Sequence, residues 1–260
     1  MKNLTSNKTA TGKSKTVKRI IIAAVCMLLV AALVCGGLVI RNYTHVSYAL
    51  HSLDEYRQMY LDVNIEELDN DIIRYSPKKD ASGIGIAFYP GCTVEYYAYS
   101  PLLAELAEEG YIVYLFEMPH NVATSAPERA NEIIGQDSDV TKWYISGHSA
   151  GGVGAEMYLV ENADKVDGAV IFASSAKEDM TGIDVPMITV YGSRDTVVGK
   201  SLQRRIVNNP PDTEMFCIEG ANHAQFGDYG KQTFDSDATI SDEEQRKQAV
   251  AYVTDWISRH

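Results

Sequence analysis

Cysteine is scarce in this sequence, with four in 260 residues, and there is no C-x-x-C pair and no H-E-x-x-H. Neither a disulfide framework nor a recognisable zinc cage fits that pattern, so a mechanism without metal or cofactor is the expectation. Internal repeats, coiled-coil or collagen-like periodicity and a Pro- or Ser-rich linker are also missing, which excludes solenoids, fibres and a string of tethered modules. The balance of 45% apolar to 22% charged residues is that of a folded chain rather than a disordered one. Acidic residues are absent before Asp54, whereas Lys2, Lys8, Lys13, Lys15, Lys18 and Arg19 all precede residue 20. From Arg41 onward, 17 basic residues face 35 acidic ones, a net charge of about −18 by that count. A body this acidic offers no basic face to phosphates, so nucleic acid is not an expected partner and polyanionic substrates are disfavoured.

The one long apolar run, Ile20 to Ile40, carries no charge over its 21 residues and as a helix is long enough to cross a hydrocarbon core of about 30 Å. With basic residues before it and an acidic chain after it, the positive-inside rule predicts a cytoplasmic amino terminus and an extracytoplasmic carboxy-terminal domain. The reading is a single-pass signal anchor in the cell membrane. Its rival is a cleaved secretory signal, for which Ser47 and Ala49 supply a small-x-small pair and which releases the domain. A lipobox is excluded because Val25 and Val34 precede Cys26 and Cys35. The expected organisation is a basic cytoplasmic tail over 1–19, the transmembrane anchor over 20–40, a juxtamembrane segment over 41–59 and one domain over 60–260.

From Gly83 the chain alternates short β-rich runs with helical stretches, the mark of an α/β sheet. Strands are predicted at 84–89, 111–117, 143–146, 168–173, 187–191 and 214–218. Their near-continuous apolar character suits parallel strands covered on both faces. Helices are predicted at 98–109, 127–134, 150–162 and 242–258, the last opened by Ser241 and Glu244 at capping-box spacing. Residues 63–75 read as an antiparallel hairpin turning at Asp69 and Asn70.

Gly147, His148, Ser149, Ala150 and Gly151 form a G-x-S-x-G between a predicted strand and a predicted helix. A serine on so tight a turn has an exposed hydroxyl, and its small neighbours let the chain bend. The bland alternative is a Gly-rich turn that merely joins the two elements. A serine hydroxyl is a poor nucleophile at neutral pH and requires a general base, which in turn needs a partner to fix its tautomer. Asp195 follows the strand ending at Tyr191, and His223 follows the next strand. Each alone is readable as an ordinary loop residue, but together and in that order Ser149, Asp195 and His223 each lie one step past a strand end, where open α/β sheets gather their chemistry. His148 is expected to pack within the elbow. His120, past another strand end, fits either a pocket wall or a plain loop. For the developing oxyanion, one donor is expected to be the N–H of Ala150 and the other that of Cys92 or Gly91.

At these residues the chain resembles the α/β-hydrolase-fold family, in its small lidless members akin to dienelactone hydrolases and bacterial carboxylesterases. It is similar to a bacterial subgroup marked by Phe-Tyr-Pro-Gly (here Phe88 to Gly91), Glu-Met-Pro (Glu117 to Pro119), a G-H-S-x-G-G elbow (Gly147 to Gly152) and the tail His223 to Gly230. The likeness covers roughly residues 60 to 258. Dienelactone hydrolases carry cysteine where this chain has Ser149, so their lactone substrate does not transfer, and Cys92 stands where relatives often have glycine. The resemblance implies a mostly parallel eight-stranded sheet in the order 1-2-4-3-5-6-7-8 with flanking helices and no cap domain, which keeps Cys92 and Cys217 too far apart to pair. An open serine site suits small ester or thioester substrates; Tyr96, Tyr97 and Tyr99, just after the oxyanion loop, read as an aromatic wall of which at least one packs inward, Phe226 and Tyr229 as the far side, and Asp228, on proximity alone, as a tether of the histidine loop. The expectation is a membrane-anchored, carboxylesterase-like serine hydrolase using Ser149, His223 and Asp195, with no cofactor. Its alternatives are an acyltransferase with the same residues, a peptidase, or a noncatalytic binding protein on the same fold. Oligomeric state and natural substrate are not legible in the sequence.

Overall fold

The computed structural model describes residues 20–22, 24–33, 46–174 and 177–260. Residues 20–22 and 24–33 are helical, and among the described residues no helix is long and apolar enough to cross a membrane. The basic tail 1–19, residues 23 and 34–40 of the expected anchor and residues 41–45 of the expected juxtamembrane segment lie outside the described residues. Ser47–His260 forms a compact unit, so residues 47–59, expected ahead of the domain, pack as part of it.

The hairpin is β1 (Val63–Leu68) and β2 (Ile72–Pro77), antiparallel, with Asn70 and Asp71 at φ 64° and 55° in its turn. Asn and Asp tolerate that left-handed region better than other side chains do. β2 pairs antiparallel with β4 (Ile112–Phe116), and from there β3 (Ile84–Tyr89), β5 (Lys142–His148), β6 (Gly168–Phe172), β7 (Met187–Gly192) and β8 (Thr213–Ile218) continue in parallel. The sheet order is β1-β2-β4-β3-β5-β6-β7-β8, as the resemblance implied.

Period-two alternation explains why these strands are apolar throughout. Ile86, Phe88, Val113, Leu115, Val170, Phe172, Ile188 and Val190 enter one core layer. Their neighbours Ala87, Tyr89, Ile112, Tyr114, Ala169, Ile171 and Met187 enter the other. The first layer lies beneath α2 (Ser100–Glu108) and α5 (Asp242–Arg259), the second beneath α3 (Ala150–Asn162). With both faces roofed by helices, the open carboxyl edge of the parallel strands is left for chemistry.

Local signals were uneven. The helix expected at 98–109 begins as a 3-10 turn, Tyr96–Tyr99, and becomes α-helical only at Ser100, with Pro101 in its first turn where no N–H is required. The segment expected as a helix at 127–134 is a 3-10 run, Pro127–Glu132. Two helices of seven residues each, α1 (Leu53–Met59) and α4 (Gly199–Arg205), were not anticipated, being too short to display an amphipathic period. Ser52 and Glu55 close a full capping box on α1. At α5 only half of the expected box forms: Ser241 accepts from the Glu244 N–H, while the Glu244 carboxylate accepts from Gln248. Among the described residues Cys26, Cys92 and Cys217 form no disulfide, and those between β6 and β7 form neither helix nor strand.

One buried group sits uneasily in this frame. Glu156 on α3 is 4% exposed, its Oε2 has no hydrogen-bond partner among the described residues, and burial pushes its carboxyl up to about 8. Because the folded value lies above the unfolded one, its contribution to stability is complete below pH 4.5 and is lost as pH rises through about 8. Stability is therefore expected to fall between those limits by up to about 5 kcal/mol at 1.36 kcal/mol per pH unit. Glu156→Gln should remove most of that slope, measured as urea midpoints at pH 5 and pH 8.

Candidate active site

The elbow is built from close backbone contacts. A Cβ on Gly147 would meet the Gly151 carbonyl carbon at 2.5 Å, and one on Gly151 would meet the Tyr89 and Pro90 carbonyl oxygens at 2.1 and 2.4 Å. Only glycine permits β3, β5 and α3 to converge this tightly. Between them Ser149 adopts φ 54° and ψ −119°, a conformation that costs a non-glycine residue roughly 1–3 kcal/mol and persists only where its surroundings impose it. The constraint is visible: the Ser149 N–H donates to Phe172 O at 2.9 Å, and Ser149 O accepts from Val153 N at 3.1 Å. The serine side chain does not cap α3 and is partly exposed at the carboxyl edge of the sheet.

Asp195 and His223 meet at that edge. His223 Nδ1 lies 2.8 Å from Asp195 Oδ2, and both side chains are fully buried. A carboxylate only accepts, so Nδ1 carries the proton and Nε2 presents a lone pair. That Nε2 is buried without a partner among the described residues. The other oxygen of Asp195 accepts the N–H groups of Val197 and Val198, each at 2.9 Å. The histidine reaches the elbow because the turn after β8 folds back over it: the His148 and His223 rings lie 4.6 Å apart, and His148 Nε2 is 3.1 Å from His223 O.

His148 has a structural part to play. Its Nε2 faces a carbonyl and must donate, and burial holds the ring well below its ordinary pKa, hence neutral. Nδ1 therefore accepts from the Tyr99 hydroxyl at 2.8 Å, and Tyr99 in turn accepts the Gly91 N–H at 3.1 Å. One chain of hydrogen bonds, all donated in the same sense, thus runs from the loop after β3 through the elbow to the histidine turn. It also separates the two candidate oxyanion donors. The Gly91 N–H is consumed by Tyr99, which corrects that assignment. The Cys92 N–H has no partner among the described residues, and neither has that of Ala150 at the start of α3. Burial pushes the Cys92 thiol up, so it stays protonated beside the loop.

The remaining expected residues divide. Tyr96 and Tyr97 flank the loop, half-buried and edge-to-face at 5.5 Å. His120 is exposed on a turn where it and Asn121 have φ 56° and 54°. Phe226 is no pocket wall: it is completely buried, packed 5.5 Å from both His148 and Phe172. Tyr229 is likewise buried, against Tyr99. Asp235 went unnoticed in a polar run that reads as loop. Its Oδ2 accepts the N–H groups of His223 and Ala224, each at 2.9 Å, and its Oδ1 accepts from Thr196, so it ties the histidine turn to the Asp195 loop. Burial raises its pKa.

The family described as "Alpha/beta hydrolase family" matches residues 85–247, well over half of the chain. No curated protein matches. Among solved structures, the fold is similar to a predicted CIB-like hydrolase from Thermoplasma acidophilum, at 18% identity and a TM-score of 0.55 over 74% of this chain and 98% of that one. It is also similar to MGS-MChE2, an alpha/beta hydrolase enzyme from the metagenome of sediments from the lagoon of Mar Chica, Morocco, at 14% and 0.54 over 75% and 98%. A third is Est1E from Butyrivibrio proteoclasticus, at 13% and 0.52 over 76% and 99%.

Tyr99→Phe leaves the Gly91 N–H and His148 Nδ1 without their partner in a buried setting, at about 1–3 kcal/mol for each unsatisfied group. The expected loss of about 2–6 kcal/mol is read as a shift in urea midpoint at unchanged m-value.

Proposed function

The chain belongs to the alpha/beta hydrolase family, and we propose that within it the protein is a serine hydrolase of carboxylesterase type acting on small ester or thioester substrates. In this reading Ser149 Oγ attacks the carbonyl carbon as its proton passes to His223 Nε2, and Asp195 stabilises the imidazolium. The N–H groups of Ala150 and Cys92 receive the oxyanion, an arrangement in which each donor is typically worth about 2.7–4 kcal/mol of barrier. Collapse of the tetrahedral species breaks the bond to the alcohol, which leaves with the Nε2 proton. Water, deprotonated by the same nitrogen, then releases the acid from the acyl-enzyme. Substitution of another acceptor for water makes the same residues an acyltransferase.

The observation that carries this reading is the buried His223 imidazole, turned by Asp195 so that an unpartnered Nε2 remains beside the elbow. A packing histidine has no need of a free, desolvated lone pair, which costs stability unless it is used. The lipophilic run 20–40 behind a basic tail supports attachment to the membrane with the domain outside the cytoplasm.

A fluorophosphonate probe should label the wild type and not Ser149→Ala; equal labelling of both rejects Ser149 as the nucleophile. Asp195→Asn keeps an acceptor for Val197 and Val198 but turns an amide N–H toward Nδ1, and kcat on a short p-nitrophenyl ester should fall on the order of 10³- to 10⁴-fold. For the anchor, the full-length chain should stay with membranes through alkaline carbonate extraction and its domain should be digested by protease added from outside. A shortened chain in the soluble fraction points instead to cleavage.

A further inference from the structure

Residues 47–51 lie directly against both loops that the serine-hydrolase reading uses. Ser47 makes a parallel bridge with Val94: its N–H donates to Thr93 O at 2.7 Å and its carbonyl accepts from Glu95 N at 2.9 Å. Ala49 N then donates to the Glu95 carboxylate at 2.9 Å. Leu50 N donates to Asp228 O at 2.9 Å, and His51 Nδ1 lies 2.7 Å from Asp228 Oδ2, which also accepts from the Tyr56 hydroxyl. Asp228 N closes the ring by donating to Ala98 O at 2.7 Å. In five residues the strap thus runs from the residue after Cys92 to the fifth residue after His223. The expected tether at Asp228 exists, but what it ties to the histidine turn is this strap.

The strap bears on a strained point. Thr93 has φ 58°, in the left-handed region where a β-branched residue is an outlier. Two bonds hold it there, Ser47 N–H to Thr93 O and Thr93 N–H to Asn121 O at 3.3 Å. On the other side of Cys92, Tyr99 holds the Gly91 N–H. The Cys92 N–H therefore sits between two pinned peptides, and its direction is set by them. Thr93 O, the atom that Ser47 holds, belongs to the peptide that follows this strained residue, so the Ser47 bond opposes relaxation of Thr93 toward negative φ.

We propose that residues 47–51 are a positioning strap for the active site, in which Ser47 holds the strained Thr93 turn and thereby aims the Cys92 N–H at the oxyanion, while His51 steadies the histidine turn through Asp228. The proposal rests on the serine-hydrolase reading and adds that the first residues of the domain take part in transition-state stabilisation. Such a donor acts on charge that develops in the transition state, so its loss lowers kcat and leaves KM nearly unchanged.

The test uses the full chain, with fluorophosphonate labelling rates and ester kinetics. Ser47→Pro removes the N–H donor and should lower kcat and the labelling rate about 10- to 100-fold with KM within about twofold. His51→Ala, a milder change at a half-exposed side chain, should lower kcat about 3- to 10-fold. Ser52→Ala, which breaks the α1 capping box but leaves the strap, serves as the control: it should lower the melting temperature and leave kcat unchanged. In a Thr93→Asn background, where the left-handed conformation is tolerated, the Ser47→Pro loss should shrink at least threefold, a non-additivity that general destabilisation does not produce. Wild-type labelling and kcat retained by Ser47→Pro overturn the strap alone, as does a kcat loss in Ser52→Ala matching that in Ser47→Pro. Failure of the probe to label even the wild type overturns the nucleophile reading, and the strap's part in chemistry falls with it.

Discussion

The hydrogen bond between His223 Nδ1 and Asp195 Oδ2 joins two titratable side chains with no exposure to solvent, and burying such groups is costly unless their bonding capacity is filled. Around Asp195 it is filled: Val197 and Val198 donate to one oxygen and the imidazole to the other. Around His223 it is filled on one side only, leaving Nε2 without a partner among the described residues. A second carboxylate, Asp235, takes the backbone N–H groups of His223 and Ala224, so the turn itself is held as well as the ring. The surrounding architecture follows from the need to keep this pair dry and correctly oriented at the open edge of a sheet.

Three loops from distant parts of the chain have to be brought into register for that, and the fold does so through backbone groups more than side chains. Glycines at 147 and 151 let the elbow press against the end of β3, and the neutral imidazole of His148 bridges the loop after β3 to the histidine turn through Tyr99. Ser149 and Thr93, both at positive φ, are pinned on either side by hydrogen bonds. Strain stored at two neighbouring turns marks a site whose geometry is imposed by its surroundings.

Legibility in the sequence tracked the range of the interaction concerned. The strands were visible because a sheet roofed on both faces demands continuous apolar runs, and their observed bounds differ from the expected ones by no more than a few residues. α1 and α4 were invisible because seven residues hold too little of a helical period. Phe226 was misassigned to a pocket wall, since proximity in sequence to His223 says nothing of which way the side chain turns. Tyr99 was one of three neighbouring tyrosines with nothing local to set it apart; its role depends on His148, 49 residues away. Asp235 sat in a run of polar residues whose local signal is only that of a loop.

What the amino-acid order determined by itself was the alternation of β and α segments and the placing of Ser149, Asp195 and His223 one step past three strand ends, because these rest on periodicity and on residues adjacent in the chain. Only the tertiary structure decided that the Gly91 N–H is taken while the Cys92 N–H has no partner among the described residues, that His148 bridges two loops, and that residues 47–51 belong to the domain and hydrogen-bond to its loops. Those outcomes hang on contacts such as His51 with Asp228, 177 residues apart, which form only when the sheet has brought its loops together.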